Sequence, residues 1–355
     1  MPAKPTISVI LPVYAVEEYL GACLDSILDA PPADRANPAG QAGMEVIAVD
    51  DASPDRCGAM LDARARRDPR LQVVHLSRNG GPGPARNAGL ARATGDYIWF
   101  VDADDEVAPG ALAAIVARLG PDRPDVLLID YEEFGADGRT APSPGRDLLR
   151  AAPAGPFTLA ARPQLINLTM TSWSKLIRRG FLDRIGLSFP GGIHEDVALT
   201  CALLLGAERL AVLPRVCYRY RQRPGSFMAT ASAGQLSIFQ SYETVFGLVA
   251  AAGPALPGPV RAAVFERAIW HYTTVLGGRH GRGGLVPRAA RRAFFERMHE
   301  DFTRYRPPDY RNPPGLRGVK FGLVERNAYG IYSALEPVNR VRVLLAQAAS
   351  RLRRG

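Results

Sequence analysis

The sequence contains no long apolar run of the kind that crosses a membrane. No uncharged stretch reaches 18 residues without a proline or a glycine, and a spanning helix needs about 20 predominantly apolar residues. Residues 1–6 lead directly into a strand-like pattern, without an apolar leader segment. These two absences predict a protein that stays in the cytoplasm.

Cysteine is scarce as well. The 355-residue chain has four cysteines, Cys23, Cys57, Cys201 and Cys217, and none of them forms a CxxC pair. This spacing argues against a disulfide framework or a zinc site and predicts buried, reduced thiols. The composition is otherwise globular, with 47% hydrophobic and 22% charged residues, enough apolar side chain for a sizeable core.

The usual phosphate-binding signatures are also missing. A glycine-rich loop runs from Asn79 to Asn87 into a predicted helix. It has neither the GxGxxG spacing of dinucleotide-binding folds nor the P-loop spacing with a following Lys-Ser/Thr. The sequence therefore predicts neither of these two nucleotide-binding designs.

Strand and helix patterns alternate through the first 130 residues. β-rich apolar runs predict strands at 7–13, 45–49, 71–76, 97–101 and 126–129. The runs between them have helical spacing; one helix begins at Glu17, a second around Ser53, and a third spans 85–93. This alternation predicts an α/β fold with a mostly parallel sheet. Ligands bind beyond the carboxyl ends of such strands, where Tyr14, Asp50–Asp51 and Asp102–Asp105 are expected to meet.

The acidic turn Asp102-Ala103-Asp104-Asp105 directly follows an apolar strand. Carboxylates two residues apart at a strand end can reach one hard cation, and Mg²⁺ or Mn²⁺ sites often combine one or two carboxylates with phosphate oxygens. The alternative is an acidic turn that caps a helix around Pro109.

Asp50 and Asp51 form a second acidic pair at a strand end. A carboxylate there can accept a hydrogen bond from a nucleobase N–H or a ribose hydroxyl. The alternative is capping of the helix around Ser53.

Three arginines alternate in the segment Tyr218–Ser226, at Arg219, Arg221 and Arg223. Alternate residues of a strand share a face, so the three predict one cationic row. Guanidinium groups suit phosphate oxygens. The alternative is a charged edge strand that resists aggregation.

Several segments, in this order and spacing, resemble family 2 glycosyltransferases. They are Ser8–Tyr14 (SVILPVY), Glu17–Leu28, Val49–Asp55 (VDDASPD), Ala85–Leu90 (ARNAGL) and Gly95–Asp105 (GDYIWFVDADD). The likeness continues more loosely through 173–178, 195–197 and 218–226, and so covers roughly residues 5–228. It implies a GT-A fold, inversion at the anomeric carbon and a divalent cation, Mn²⁺ or Mg²⁺.

The resemblance also implies roles for individual residues. The nucleotide of the donor would be held by Pro12, Tyr14, Asp50, Asp51, Arg86, Asp102 and Ala103. The cation would be held by Asp104 and Asp102, the diphosphate by Arg221, Arg223 and Ser226, and the acceptor by Trp173, Lys175 and His194. Trp173 could equally belong to the core.

The attack of an acceptor hydroxyl requires a base on the side opposite the leaving diphosphate. Glu195 and Asp196 are the candidates, and the resemblance favours Asp196, with Glu195 second. The alternative is that both acidic residues simply stabilise the N-terminus of the helix that follows.

Positive charge is concentrated at the end of the chain. The net charge is +9, yet residues 251–355 alone carry 19 basic and 7 acidic residues, and the first 250 residues are slightly acidic. We predict a GT-A domain over 1–229, with a nucleotide part to about 130 and an acceptor part from 131, and a basic, mainly helical region over 230–355. The excess indicates an anionic partner or merely an arginine-rich surface.

Residues 338–354 combine an apolar stripe with five arginines. The partner of the stripe could be the protein core, a second copy of the chain or an anionic membrane surface.

Taken together, the sequence predicts an inverting, cation-dependent hexosyl- or N-acetylhexosaminyl-transferase. Its donor would be a nucleoside-diphosphate sugar, UDP-linked by expectation, and its acceptor a hydroxyl of a cell-surface polymer or lipid-linked glycan at the inner membrane face. The alternative is a non-catalytic module of the same fold that binds a phosphate polymer or nucleic acid. No RNA-binding signature with interleaved aromatic residues supports nucleic acid.

Overall fold

The computed structural model describes residues 5–29, 43–186, 188–189, 194–223, 233–278 and 284–335. The chain divides into two compact units, within Met1–Pro224 and within Gly225–Gly355. Among the described residues, no helix is both long and apolar enough to cross a bilayer.

The first unit is built on one curled sheet. Its strands are β1 (Ile7–Val13), β2 (Met44–Asp50), β3 (Leu71–His75), β4 (Tyr97–Phe100), β5 (Glu106–Val107), β6 (Val126–Gly135), β7 (Thr140–Pro142), β8 (Lys175–Arg178) and β9 (Leu210–Gln222). Their order in the described chain is β3-β2-β1-β4-β8-β6-β9-β5, with β7 paired to β6. The longest ladders, β1–β2 and β6–β9, are parallel, which confirms the prediction of a mostly parallel α/β sheet.

Helices cover the faces of this sheet. They are α1 (Glu17–Leu28), α2 (Cys57–Ala65), α3 (Pro82–Leu90), α4 (Ala111–Asp122), α5 (Arg146–Arg150), α6 (Arg179–Ile185) and α7 (Glu195–Gly206). β1 is a nearly continuous apolar strand with all but Pro12 buried, as expected for a central parallel strand covered on both faces. The apolar stripe of α1 is buried too, because helical spacing puts it on one face.

Short antiparallel strands extend the sheet on the side of β4. β8 lies between β4 and β6 and is antiparallel to both. β5 pairs with β9 so that Glu106 lies opposite Arg219. Because of this pairing, the acidic turn that precedes β5 lies next to the arginines at the end of β9, although more than 110 residues separate them in sequence.

The structure changes three details of the expected pattern. The fifth predicted strand continues from Val126 to Gly135, where it pairs with β9; β7 and α5 follow it in the chain. The second helix begins at Cys57 rather than at Ser53, and the third begins at Pro82 rather than at residue 85. Proline is well suited to that first helical position.

The second unit is helical in its described part. It contains α8 (Ser237–Ala252), α9 (Gly258–Gly277), α10 (Arg291–Tyr305), α11 (Gly315–Glu325) and a last helical segment at 329–335. Buried aromatic rings form its centre, and the Tyr272 hydroxyl donates to Asp301 at 2.8 Å. The predicted basic helix at 338–354 lies outside the described residues.

Candidate active site

The site is organised around Arg86, an arginine buried on α3. Only 5% of its side chain is exposed. α3 lies close against the sheet because Gly89 has no side chain: a Cβ there would stand 2.4 Å from the Ile10 Cγ2 atom of β1. The close approach directs the guanidinium group of Arg86 beneath the carboxyl ends of the strands.

Arg86 joins carboxylates from two distant parts of the chain. Its Nη2 donates to the Asp102 Oδ1 atom at 2.8 Å, and its Nη1 donates to the Glu195 Oε1 atom. The Asp196 Oδ1 atom lies 3.5 Å from the same Nη1. The ring of Phe189 lies 5.2 Å from the guanidinium carbon. Asp102, the predicted donor-side carboxylate, and the predicted catalytic pair therefore meet at one buried guanidinium group.

The charges of this cluster do not balance, because three carboxylates surround one guanidinium group. Burial, together with the nearby Asp196 and Asp102, raises the pKa of Glu195 to about 8 against the opposing effect of Arg86. Burial also raises the pKa of Asp196, with a further contribution from Asp102. Such a cluster retains a proton to higher pH than an isolated carboxyl group. It therefore contains a group that can take up a proton near neutral pH.

The predicted catalytic pair, Glu195 and Asp196, lies in the first turn of α7. The Asp196 Oδ2 atom accepts a hydrogen bond from the Ser172 backbone N–H at 3.1 Å. Asp196 keeps 21% of its side chain exposed, compared with 5% for Glu195. Negative charge here also suits the helix N-terminus, so the alternative interpretation of these residues is compatible with a catalytic one. Exposure favours Asp196 as the carboxylate that an acceptor can reach.

The acidic turn is tied to β9 through Tyr218. The Tyr218 hydroxyl accepts a hydrogen bond from the Asp102 backbone N–H at 3.1 Å and donates to the Asp105 Oδ2 atom at 2.7 Å. The Asp105 Oδ1 atom accepts from the Arg221 backbone N–H at 2.7 Å. Asp105 is therefore a buried brace of the turn. The carboxylates of this turn do not cap a helix, since α4 begins only at Ala111.

Asp102 and Asp104 remain partly open to solvent, with 29% and 24% of their side chains exposed. Burial and the nearby Asp102 raise the pKa of Asp104, although Arg223 opposes this. Among the described residues, no three His, Cys, Asp or Glu side chains are grouped as a metal cage. The open pair of oxygen ligands nevertheless fits a divalent cation that completes its shell with phosphate oxygens and water.

The predicted arginine row is present, but carboxylates neutralise it. Arg219 pairs with Glu106 and Glu132, and Arg221 pairs with the other oxygen of Glu106. The Arg223 Nε atom donates to the Asp104 Oδ2 atom at 2.8 Å. The sequence predicted the row but not its acidic partners, which come from β5 (Glu106), β6 (Glu132) and the acidic turn (Asp104). Ser226 lies outside the described residues.

On the nucleotide side, Tyr14 is 47% exposed beyond the end of β1, with Pro12 within that strand. Ala103 is buried in the acidic turn. The carboxylates of Asp50 and Asp51 have partners within the protein. An exposed tyrosine at the carboxyl edge of a parallel sheet is well placed to face a nucleotide.

The Asp50 oxygens accept from the Ser53 N–H at 3.0 Å and contact the His75 Nδ1 atom at 3.0 Å. Burial raises the pKa of Asp50, but these hydrogen bonds outweigh it and leave the pKa below its usual value. The Asp51 oxygens accept from the N–H groups of Gly80 and Gly81, at 2.9 and 2.8 Å. Asp51 thereby fixes the glycine-rich loop, which begins α3 with Gly81 at a φ of 85°.

The three predicted acceptor residues lie inside the protein. Trp173 is 3% exposed and stacks on Tyr218 at 4.4 Å between ring centroids. Lys175 is 1% exposed, and its Nζ donates to the Thr171 carbonyl oxygen at 2.6 Å. His194, directly before α7, is 3% exposed. Their burial does not support an open acceptor surface. Trp173 belongs to the core, the alternative already considered from the sequence.

Sequence reasoning missed the residues that hold the predicted ones in place. Tyr218 and Glu106 position the acidic turn and the arginines. Asn87 holds the segment before the catalytic pair: its side chain donates to the Phe189 carbonyl oxygen and accepts from the Phe189 N–H, both at 2.9 Å. The alternation of tyrosine and arginine at 218–221 was a usable signal, since it places tyrosine on the face opposite the arginines.

Comparison with known proteins gives consistent likenesses. The family model described as glycosyl transferase family 2 matches residues 8–186. EpsJ of Bacillus subtilis, described as an uncharacterised glycosyltransferase, is 31% identical over 229 residues, which cover 62% of this chain and 62% of EpsJ. TarS of Staphylococcus aureus, described as a poly(ribitol-phosphate) β-N-acetylglucosaminyltransferase, is 31% identical over 230 residues, which cover 63% of this chain and 37% of TarS. The chain thus matches less than two thirds of the length of these two relatives.

Solved structures show the same architecture. A TarS fragment (TarS 1–349) in complex with UDP-GlcNAc superposes with a TM-score of 0.71 at 24% identity, covering 94% of this chain and 91% of the fragment. A mannosyltransferase from Pyrobaculum calidifontis in complex with GDP-Man and Mn²⁺ superposes with a TM-score of 0.54 at 19% identity, covering 99% of this chain and 88% of the other. At these identities the likeness establishes the fold.

Proposed function

Because the chain belongs to glycosyl transferase family 2, we propose that it moves a sugar from a nucleoside diphosphate, UDP in particular, to an acceptor hydroxyl with inversion at the anomeric carbon. The sugar would be a hexose or an N-acetylhexosamine. The acceptor would be a cell-surface polymer or a lipid-linked glycan. Membership of this family sets aside the alternative of a non-catalytic binding module.

One observation carries the proposal: Arg86 holds Asp102 and the pair Glu195–Asp196 on a single guanidinium group. Asp102 follows β4 on the nucleotide side, whereas the pair begins α7 on the acceptor side. A transfer reaction needs its leaving group and its base on opposite sides of the reacting carbon. The ion pairs of Arg86 keep these two sides at a fixed separation.

The donor would lie along the carboxyl edge of the sheet. Tyr14 would face the base, Asp51 would hold the loop that borders it, and Asp102 would face the ribose. Arg221 and Arg223 would face the diphosphate, because guanidinium groups bind phosphate oxygens in a planar, bidentate manner.

The reaction is a single displacement. The acceptor oxygen forms a bond to the anomeric carbon while its proton passes to the Asp196 carboxylate. The bond from that carbon to the diphosphate oxygen breaks, and the oxygen leaves with the bonding electrons. Arg86 lies 3.5 Å from Asp196 and opposes the effect of burial on its pKa, which favours the ionised form that this role needs. Arginine groups beside the diphosphate stabilise the charge that develops there.

The residues that would hold a divalent cation are Asp104 and Asp102. When bound, the cation supplies Lewis-acid stabilisation of the departing diphosphate. The open carboxylate pair at the end of β4 supports this assignment.

The relatives support the choice of donor and acceptor. TarS was crystallised with UDP-GlcNAc, and its name describes a β-linked N-acetylglucosaminyl product on a poly(ribitol-phosphate) chain. Inversion of an α-linked sugar nucleotide gives a β-linked product. These are properties of TarS, and for this chain they motivate UDP-sugars and polymer hydroxyls as the first candidates.

A donor screen tests the proposal. Purified protein is heated with UDP-, GDP-, CDP- and TDP-sugars, with and without Mn²⁺, and sugar-nucleotide hydrolysis is followed in parallel. We expect UDP-sugars with Mn²⁺ to give the largest rise in melting temperature and slow hydrolysis, because ligand binding to the folded state stabilises it. Asp104→Ala should remove the Mn²⁺-dependent part of both effects. If no sugar nucleotide raises the melting temperature or is turned over, the proposal is wrong.

A further inference from the structure

Two arginines at the end of β9 differ in how they are held. Arg221 donates from Nε to the Asp104 carbonyl oxygen at 2.8 Å and from Nη2 to Glu106 at 2.6 Å. Its guanidinium carbon also lies 4.5 Å from the centre of the Phe134 ring. A backbone acceptor, a carboxylate and an aromatic face therefore fix Arg221 without any ligand.

Arg223 has a different partner. Its Nε donates to the Asp104 Oδ2 atom at 2.8 Å, and its guanidinium carbon lies 5.5 Å from the ring of Tyr19. Within the described chain, no other carboxylate lies within ion-pair distance of Arg223. Both members are partly open to solvent, 31% for Arg223 and 24% for Asp104. Such a pair breaks at low cost, because exposed ion pairs contribute little to stability.

The partner of Arg223 is the carboxylate that a divalent cation would use. We propose that Arg223 is an exchangeable counter-ion: it neutralises Asp104 in the free protein, and it transfers to the donor diphosphate when a cation binds Asp104. This inference rests on the proposed function, because it takes Asp104 as the cation ligand. It adds that a side chain of the protein, Arg223, competes with the cation for Asp104.

The charges of the acidic turn explain why such a counter-ion is needed. Asp102 has Arg86 as a permanent buried partner, whereas Asp104 would otherwise be left beside Asp102 and the buried Asp105 without a cation. When a cation replaces Arg223, the displaced guanidinium group is already at the site where two phosphate groups would arrive. The exchange therefore conserves the local charge balance before and after donor binding.

The test measures cation binding in the absence of any sugar nucleotide. The full-length protein is titrated with Mn²⁺, and free Mn²⁺ is counted by electron paramagnetic resonance. Arg223→Gln should bind Mn²⁺ roughly 3- to 10-fold more tightly than the wild type, the range expected for removing a partly exposed ion pair that competes with the cation. With Mn²⁺ saturating, the same variant should bind UDP more weakly than the wild type.

Arg219→Gln is the matched control. It removes the same charge from the same row, but Arg219 pairs with Glu106 and Glu132 rather than with Asp104. Its Mn²⁺ affinity should stay within about twofold of the wild type. Asp104→Asn should lose the binding. Thermal unfolding of each variant verifies that it is folded.

Several results would overturn the inference. These are an unchanged or weaker Mn²⁺ affinity in Arg223→Gln, an equal gain in Arg219→Gln, binding that survives Asp104→Asn, or UDP affinity unaffected by Arg223→Gln in a protein that binds UDP. Failure of the proposed function looks different. The wild type and every variant would then fail to bind UDP, while Arg223→Gln would still bind Mn²⁺ more tightly than the wild type.

Discussion

Arg86 and Arg223 hold the two sides of the same acidic centre in opposite ways. Arg86 is 5% exposed and is shared by Asp102, Glu195 and Asp196. Arg223 is 31% exposed and has Asp104 as its carboxylate partner within the described chain. The buried arginine belongs to a helix packed on the sheet, whereas the exposed one directly follows the last residue of β9.

Burial decides what each arginine can do. Removing one member of a buried ion pair leaves an uncompensated charge in a region of low polarity and is strongly destabilising. An exposed pair contributes about 0–1 kcal/mol and can be exchanged for another partner. We therefore propose a fixed role for Arg86, which aligns the donor and acceptor sides, and an exchangeable role for Arg223. Each of the following predictions tests that difference.

The largest effect is expected from Arg86→Met. The variant leaves three carboxylates without their cation, and it should lower the free energy of unfolding by about 3–5 kcal/mol at pH 8. Arg223→Met should cost at most about 1 kcal/mol. Urea unfolding followed by tryptophan fluorescence in a Trp270→Phe background would report on Trp99 and Trp173, the two tryptophans of the first unit.

At pH 5 the cost of Arg86→Met should shrink, because protonated carboxyl groups need no counter-ion. If Arg86→Met and Arg223→Met lowered the free energy of unfolding equally at pH 8, the distinction between the buried Arg86 and the partly exposed Arg223 would not hold.

The next effect concerns pH and Glu195. Its pKa is raised from 4.5 to about 8 in the folded protein, chiefly by burial. Between these two values the folded state binds the proton more tightly than the unfolded state, so stability falls as the pH rises. Glu195→Gln cannot titrate. We expect the wild type to lose on the order of 3 kcal/mol relative to this variant between pH 5 and pH 8. Parallel stability curves for the two proteins would show that Glu195 titrates normally.

The smallest effect concerns the backbone at the nucleotide edge. Ala52, next to Asp51, has a φ of 55°, in the left-handed region that favours glycine. Ala52→Gly should therefore stabilise the protein by about 0.5–1 kcal/mol. Ala117→Gly, in the middle of α4, is the control and should cost about 1 kcal/mol. If Ala52→Gly costs as much as the control, the backbone at Ala52 carries no strain. Both values come from the same urea titrations.

Much of the nucleotide half could be predicted from the sequence. β1 and β2 are apolar runs of strand length that end in polar residues, so their bounds and their shared carboxyl edge follow from the pattern. The helical stripe of α1 was equally clear. The resemblance to family 2 glycosyltransferases, confirmed by the family match, brought Arg86, Asp102 and Asp196 into one expected site before any geometry was known.

The long-range pairings could not be predicted in the same way. Nothing local to Glu106 indicates that it lies opposite Arg219, because the pairing depends on the order of β6, β9 and β5 in the sheet. The sequence therefore predicted the arginine row but not its acidic partners. Lys175 was expected on the acceptor side, but its side chain is buried, and its contact with the Thr171 carbonyl oxygen depends on tertiary structure.

The assignment of Asp196 as the base is tested by comparing Asp196→Asn with Glu195→Gln in turnover and in UDP binding. We predict that Asp196→Asn lowers kcat by about 10²–10⁴-fold, the usual contribution of a general base, and that UDP binds about as tightly as in the wild type. Glu195→Gln should lower kcat by a smaller factor, because Glu195 is buried against Arg86 and out of reach of an acceptor. An active Asp196→Asn beside an inactive Glu195→Gln would contradict the account and assign the base to Glu195.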